Sequence, residues 1–145
     1  MIRAVLDTNV LVQAVISSTP SASALVLDAY YEGKFTPISS PATIDELIEV
    51  MLIPHIRQRH GMTDDEVLEF AASLQAHSER FPGDTDVAAS VPRDITDRKL
   101  LALAVESNAN FLVTNDHRHL LRLGVFGPTH IVGPAEFLRR LASSV

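Results

Sequence analysis

The sequence predicts an α/β fold in which helices cover both faces of a mainly parallel sheet, a three-layer α/β/α sandwich. Short apolar runs typical of buried strands alternate along the chain with longer stretches of helical periodicity, and this alternation favours parallel strands joined by helices. The 145 residues contain no repeat, low-complexity tract or interdomain linker. A chain of this length can bury about 70% of its unfolded surface around one core. We therefore expect one domain over residues 1–145.

Turn residues and helix-capping signatures divide the chain into its elements. Strands are predicted at residues 2–6, 35–39, 111–114 and 130–132. Helices are predicted from about Val10, over 21–32, after Ser40-Pro41, after the capping signature that begins at Thr63, and over 97–108, 116–122 and 134–141. Ile53-Pro54 breaks the helical pattern, and residues 81–92 are expected to form a loop with a short strand near Val87.

The composition excludes several classes of protein and of chemistry. Hydrophobic residues make up 46% of the chain and charged residues 21%, which is typical of a globular protein and not of a disordered one. The chain has no cysteine, so disulfides and cysteine-based zinc sites or nucleophiles are excluded. No stretch approaches the roughly 20 apolar residues of a membrane span, and no secretory signal is visible. We expect a cytoplasmic protein without a membrane partner.

Four acidic residues are predicted to converge at the edge of the sheet where the strands end. Asp7 follows the first strand and Asp116 follows the strand at residues 111–114. Glu46 lies in the second turn of the helix after Ser40-Pro41, and Asp97 lies in the first turn of its own helix. In a parallel sheet covered by helices, the carboxyl ends of the strands and the beginnings of the following helices share one edge, where ligands bind.

A cluster of carboxylates indicates a divalent cation. Like charges raise the pKa of one another and destabilise the fold unless a cation lies between them. An all-oxygen set of ligands suits Mg²⁺ or Mn²⁺, which orient water and stabilise charge in phosphodiester cleavage. The formal net charge of −6 argues against a protein that coats nucleic acid. It is compatible with a nuclease whose acids bind metal ions.

Three segments resemble PIN-domain ribonucleases, especially the toxin components of bacterial toxin–antitoxin pairs. They read VLDTNVLVQAV, SSPATIDELIEVM and RDITDRKLLALAVESNANFLVTND. The resemblance implies a metal-dependent endoribonuclease in which Asp7, Glu46, Asp97 and Asp116 bind the metal, with Thr8, Asn9 and Thr114 as polar neighbours. It also implies an RNA substrate, a small antitoxin partner and a homodimer. Relatives often carry further acids at the positions of Thr96 and His119.

Two side chains near the acids each have a structural and a functional interpretation. Asp94 is either the N-cap of the following helix or an acid that supports the site. His119 is either a surface residue or a group that contacts RNA phosphate, transfers protons or binds metal. Nearby basic residues could position phosphates: Arg93, Arg98, Lys99, Arg118 and Arg122.

Two other functions fit parts of the same pattern. An aspartyl-phosphate phosphatase also places acids at the carboxyl edge of a parallel sheet, but one common type needs a second aspartate where Asn9 stands. A PIN-like module that binds RNA or an antitoxin without cleavage is the second alternative. Metal-dependent cleavage of RNA separates both from a ribonuclease, because fold alone does not determine chemistry.

Overall fold

A six-stranded sheet forms the centre of the computed structural model, which describes residues 1–95 and 98–144. The strands are β1 Arg3–Leu6, β2 Thr36–Ser39, β3 Glu79–Arg80, β4 Phe111–Val113, β5 Val125–Phe126 and β6 Thr129–Val132. Their order across the sheet is β3-β2-β1-β4-β6-β5. All neighbouring strands are parallel except the edge pair β5 and β6, which is antiparallel. The mainly parallel sheet predicted from the sequence is confirmed.

Eight α-helices connect or flank these strands in the described residues. They are α1 Thr8–Ile16, α2 Ala22–Tyr31, α3 Pro41–Met51, α4 Pro54–His60, α5 Asp64–His77, α6 Lys99–Ser107, α7 Leu120–Leu123 and α8 Pro134–Ser143. The predicted starts of α3 and α5 are confirmed by capping boxes, Ser40 with Thr43 and Thr63 with Glu66. No helix in the described part of the chain is long and apolar enough to cross a membrane.

The two faces of the sheet are buried under different helices. Ala4 and Leu6 of β1 belong to an apolar core formed with α1, α2, α3, α5 and α8, whereas Val5 belongs to a second core formed with α6 and α7. Phe111 and Leu112 of β4 divide between the same two cores. This follows from the period of two in a strand, which directs successive side chains to opposite faces. The three layers of the predicted sandwich are therefore present.

The chain reverses its direction across the sheet between β1 and β4. From β1 it proceeds outward through β2 to β3, and it then returns to β4 on the opposite side of β1. The helices that follow neighbouring strands thus separate at this point, which leaves a crevice at the carboxyl ends of β1 and β4. In α/β sheets this is the place where ligands bind. Asp7 and Thr114 are the first residues beyond these two strand ends.

Several predicted elements differ from the observed ones. The break at Ile53-Pro54 is followed at once by α4, because proline is favoured in the first turn of a helix. The strand predicted near Val87 is wrong: a 3₁₀ helix occupies Ala88–Ser90, and the extra strand is β3, before the loop. The helix predicted from residue 116 begins only at Leu120, and the short edge strand β5 was not predicted.

The loop after β3 packs tightly against the start of α3 at Gly83. Its φ of +70° is unfavourable for other residues, and an added Cβ would lie 2.7 Å from Cβ of Ser40. Gly61 has a similar φ of +68° but nothing within 4 Å of an added Cβ. Gly61→Ala should cost about 1–2 kcal/mol from backbone strain. Gly83→Ala should cost a further 1–3 kcal/mol, approximately, from overpacking. Urea unfolding of both variants measures the difference, and equal losses would contradict the packing at Gly83.

Candidate active site

The centre of the crevice is the buried carboxylate of Asp7. Asp7 is only 8% exposed, and its Oδ2 accepts a hydrogen bond of 2.8 Å from Oγ1 of the fully buried Thr114. Asp7 occupies the N-cap position of α1, yet its side chain makes no capping hydrogen bond to that helix. Capping is the usual structural reason for an aspartate at this position. The carboxylate is instead directed across the crevice toward the strand end of β4.

Thr114 also connects Asp7 to the segment that carries Asp116. Its Oγ1 accepts a hydrogen bond of 3.0 Å from the main-chain N–H of Asp116 while its hydroxyl hydrogen is donated to Asp7. One hydroxyl thus fixes the carboxylate after β1 relative to the loop after β4. The polar role expected for Thr114 is supported by these two contacts.

Glu46 lies next to the first residue of α1, on the α3 side of the crevice, and is held by two contacts. Its Oε2 accepts a hydrogen bond of 2.9 Å from Oγ1 of Thr8, the first residue of α1. Its Oε1 lies 2.8 Å from Nζ of Lys99, the first residue of α6. Both charged side chains are partly buried, with 25% of Glu46 and 32% of Lys99 exposed. Glu46 therefore connects α3 with α1 and α6 at the carboxyl edge. A glutamate in a helix is more often exposed to solvent.

The side chain of Asp116 accepts hydrogen bonds from its own loop, which follows β4 at the carboxyl edge of the sheet. Oδ1 accepts hydrogen bonds from the main-chain N–H groups of Arg118 and His119, and Oδ2 accepts one from Leu120. Partial burial raises the pKa of Asp116, but these three donors and the charge of His119 lower it more, so that it lies below its usual value. Nδ1 of His119 lies 3.6 Å from Oδ1 of Asp116. His119 is thus a close neighbour of this acid.

A second group of contacts attaches the loop after β4 to the first two helices. Oδ1 of Asn9 accepts a hydrogen bond of 3.2 Å from the main-chain N–H of Asn115. Nδ2 of Asn115 donates in turn to Oγ of Ser23, on α2, over 3.3 Å. Asn9 therefore supports the crevice through the loop. Sequence reasoning missed Ser23 and Asn115, because only the folded chain brings these polar residues together.

Two further acids named from the sequence, Asp94 and Asp97, precede α6 along the chain. Asp97 and its neighbour Thr96 lie outside the described residues. The position of Asp97 in the first turn of a helix therefore stays a prediction. Asp94 is exposed in the turn before α6. Of its two interpretations, that of an N-cap is wrong, because Arg98 holds the N-cap position of α6, and that of an acid that supports the site stays a prediction.

The chemistry of these side chains fits a hard divalent cation. Asp7, Glu46 and Asp116 offer only oxygen atoms, which Mg²⁺ and Mn²⁺ prefer. Within residues 1–95 and 98–144, no three His, Cys, Asp or Glu side chains are close enough together to hold an ion. The ammonium of Lys99 provides positive charge beside Glu46. The ammonium of Lys99 thus neutralises part of the negative charge that a metal ion would otherwise neutralise at Glu46.

Comparison with known families identifies a domain that spans this crevice. The family model for the PIN domain matches residues 3–118, about four fifths of the chain. The match begins with β1 and ends in the loop that follows β4, so it contains the crevice and its acids. The strands β5 and β6 and the helix α8 lie beyond it. No curated protein is similar enough to the chain to count as a match.

The long segment between β3 and α6 is attached to α6 by Glu106. The carboxylate of this α6 residue accepts hydrogen bonds from the main-chain N–H groups of Gly83, at 2.8 Å, and Thr85, at 2.9 Å. Burial raises the pKa of Glu106, but hydrogen bonds from Thr85, Gly83 and Asp84 lower it more, so the net value lies below 4.5. The loop that leads toward Asp94 and Asp97 therefore depends on an ionised Glu106.

Glu106→Gln should lower stability in a pH-dependent way. Glutamine keeps one of the two acceptor oxygens and loses the charge, so we expect a loss of about 1 kcal/mol at neutral pH. Because the pKa of Glu106 is lowered by folding, its contribution is complete above the unfolded value of 4.5 and disappears as the pH falls through the lower folded value. The gap between wild type and variant should therefore shrink below pH 4.5. Urea unfolding across this range measures the gap, with the exposed Glu69→Gln as control. A gap that does not change with pH would contradict the role of the charge.

Proposed function

We propose that this chain, which belongs to the PIN domain family, is a metal-dependent endoribonuclease that hydrolyses RNA phosphodiester bonds. PIN domains are typically nucleases and generally use divalent metal ions. The observation that carries the proposal is the buried Asp7 carboxylate at the reversal point of the sheet, which occupies an N-cap position without capping its helix. Burying a carboxylate is costly, and the hydrogen bond from Thr114 offsets part of this cost while keeping the carboxylate at the carboxyl edge of the sheet.

Each acid of the crevice has a proposed role. Asp7, Glu46, Asp97 and Asp116 are the proposed ligands for Mg²⁺ or Mn²⁺. When bound, such an ion lowers the pKa of water and neutralises charge on the phosphate. Thr114 and Thr8 hold the Asp7 and Glu46 carboxylates in fixed orientations through their hydroxyl groups. Asp116 keeps its loop folded beside them.

Basic side chains near the crevice offer contacts for the RNA backbone. Arg118 is exposed next to Asp116, and Arg93 is exposed before α6. These residues can bind phosphate oxygens while the acids bind metal, which resolves the apparent conflict between an acidic protein and a polyanionic substrate. Phosphate contacts of this kind position the strand and do not select its sequence.

The proposed domain includes the elements beyond the matched residues. β6 pairs with β4 over three residues, so it continues the same sheet. Phe137 of α8 is completely buried, and its ring lies edge-on to the rings of Phe35 and Phe111 at centroid distances of 5.0 and 5.6 Å. We infer one PIN domain over residues 1–145 because these contacts belong to the principal core.

We further propose that this ribonuclease is the toxin of a toxin–antitoxin pair. This role is supported by the resemblance of the three quoted segments to such toxins. The exposed apolar side chains Leu25 and Tyr31 on α2 offer a surface for a second copy of the chain or a small antitoxin. Sedimentation at micromolar concentration and co-purification with the product of a neighbouring reading frame test this assignment. A monomer without such a partner would contradict it.

A binding module without catalysis is the second candidate, and one observation favours it. Both oxygens of Glu46 and both oxygens of Asp116 already have partners in the protein. A nuclease must free part of these carboxylates for metal. RNA cleavage that requires Mg²⁺ or Mn²⁺ distinguishes the two functions, and an acid-labile phosphoprotein would instead indicate a phosphatase.

Asp7→Asn should abolish cleavage while leaving the fold intact. Asparagine has nearly the same shape and still accepts the hydrogen bond from Thr114, but it loses the charge that binds metal. We expect cleavage of single-stranded RNA with Mn²⁺ to fall by orders of magnitude, and wild type in excess chelator to be equally inactive. Circular dichroism controls for folding, and the exposed Asp65→Asn controls for the loss of one charge. Undiminished cleavage by Asp7→Asn, or by wild type in chelator, would refute the proposed role.

Lys99→Met should strengthen metal binding. Without metal, the variant loses the ion pair with Glu46 and should be less stable by about 1–2 kcal/mol. Without the competing ammonium, Mn²⁺ should bind more tightly and raise the melting temperature more than in wild type, since the stabilisation grows as RT ln(1 + [L]/Kd). Matched melts with chelator and with Mn²⁺ measure both effects.

Lys34→Met is the matched control for this variant. Lys34 forms an ion pair of 2.9 Å with Glu32 on an exposed surface away from the acids. Its loss should change stability little and metal response not at all. An equal Mn²⁺ shift in Lys99→Met and wild type would show that Lys99 does not compete with the ion.

A further inference from the structure

A second cavity opens at the carboxyl edge of the sheet, beside the crevice. It has a volume of about 350 Å³ and is lined by Ser40, Pro41, Gln75, Arg80, Phe81 and Pro82. We call it the β3 cavity. This volume lies at the lower end of the range for small-ligand sites and suits a group the size of one nucleobase.

The position of the β3 cavity relates it to the proposed site. Ser40 follows the end of β2 and Phe81 follows the end of β3, so the cavity shares the edge at which Asp7 follows β1. β3 lies two strands from β1. At a spacing of about 4.8 Å between strands, the separation along this edge is about 10 Å. About three stacked nucleotides of one strand, at roughly 3.4 Å each, cover that distance.

The aromatic wall of the β3 cavity is held in place by the loop that contains it. The main-chain N–H of Phe81 donates a hydrogen bond of 3.0 Å to the carbonyl of Ser39. Two residues later the N–H of Gly83 donates to Glu106, and Gly83 packs so closely on Ser40 that no side chain fits there. Phe81 is half-buried and packs on the second core. A ring that is already fixed loses little entropy when a ligand stacks on it.

The charges around the β3 cavity favour an anionic ligand with a flat ring. Arg80 is exposed and forms no salt bridge with any residue of the described chain. Its neighbour Glu79 is directed to Arg3, at 2.6 Å, and is thereby neutralised. The lining residues include no carboxylate, although the chain carries a net charge of −6. An aromatic face with an adjacent free guanidinium is the combination that binds single-stranded nucleic acid.

We propose that the β3 cavity binds one unpaired base of the RNA substrate, stacked on Phe81, with a neighbouring phosphate at Arg80. The amide of Gln75 is placed to hydrogen-bond the edge of the base, which provides a preference among bases. This inference rests on the proposed ribonuclease function. It adds a positioning site that fixes which phosphodiester bond reaches the acids, about three nucleotides away.

The test uses short single-stranded RNAs with 2-aminopurine at successive positions, in chelator so that no cleavage occurs. Stacking on Phe81 should quench the fluorescence of 2-aminopurine at one position and not at the others. Phe81→Leu keeps the apolar contact but removes the stacking face, so the position-specific quenching should disappear and affinity should fall roughly 5- to 100-fold. Arg80→Gln should retain the quenching at saturation, weaken binding, and reduce the dependence of log affinity on log salt by about one.

Two matched variants control for general effects. Phe126→Leu makes the same change in a half-buried phenylalanine of the same core at the opposite edge of the sheet. Arg139→Gln removes an exposed arginine of α8. Neither should alter quenching or affinity.

The outcomes separate the failure of this inference from failure of the proposed function. Cleavage of the same RNAs, and its position, is measured in parallel with Mn²⁺ in place of chelator. If wild type binds and cleaves RNA but Phe81→Leu matches Phe126→Leu in quenching and affinity, the β3 cavity is not a base site and the ribonuclease assignment stands. If wild type neither binds nor cleaves any of the RNAs, both proposals are overturned. Loss of quenching and of the fixed cleavage position in Phe81→Leu alone, with cleavage chemistry retained, supports the base site.

Discussion

The hydrogen bond between the Thr114 hydroxyl and the buried Asp7 carboxylate is the contact on which the candidate site depends. Each residue stands directly after a central strand, and these two strands are neighbours because the chain reverses its direction between them. An isolated buried carboxylate is costly, so its orientation is restricted to positions where a donor or a cation can reach it. The fold thus places a carboxylate at the carboxyl edge of the sheet, and the hydroxyl of Thr114 contributes to its orientation.

The charges around Asp7 are balanced by different means at each wall of the crevice. Glu46 is neutralised by Lys99, whereas Asp116 is stabilised by three main-chain N–H groups. Hydrogen bonds from the main chain keep a carboxylate ionised without cancelling its charge. An ammonium group cancels the charge locally and competes with other cations. In the proposed nuclease, a metal ion would compete with Lys99 for Glu46.

The sequence contained enough information for the sheet and for the edge at which its strand-terminal acid Asp7 lies. The alternation of strands and helices determines a parallel sheet, and strand-terminal residues such as Asp7 then share one edge. Short elements escaped prediction because two-residue strands such as β3 carry no periodicity. The Lys99 partner of Glu46 was also unassigned, since its distance of 53 positions in sequence leaves no local signal. The β3 cavity depends likewise on a loop whose course follows from Gly83 and Glu106.

The central claim is that the acids at the reversal point of the sheet bind a divalent cation. Diffraction from crystals grown with Mn²⁺, recorded at a wavelength where manganese scatters anomalously, locates that ion directly. We expect an anomalous peak about 2.0–2.3 Å from a carboxylate oxygen of Asp7, with at least one further acid of the proposed set in contact. Fully occupied manganese elsewhere on the protein, with none at Asp7, would contradict it.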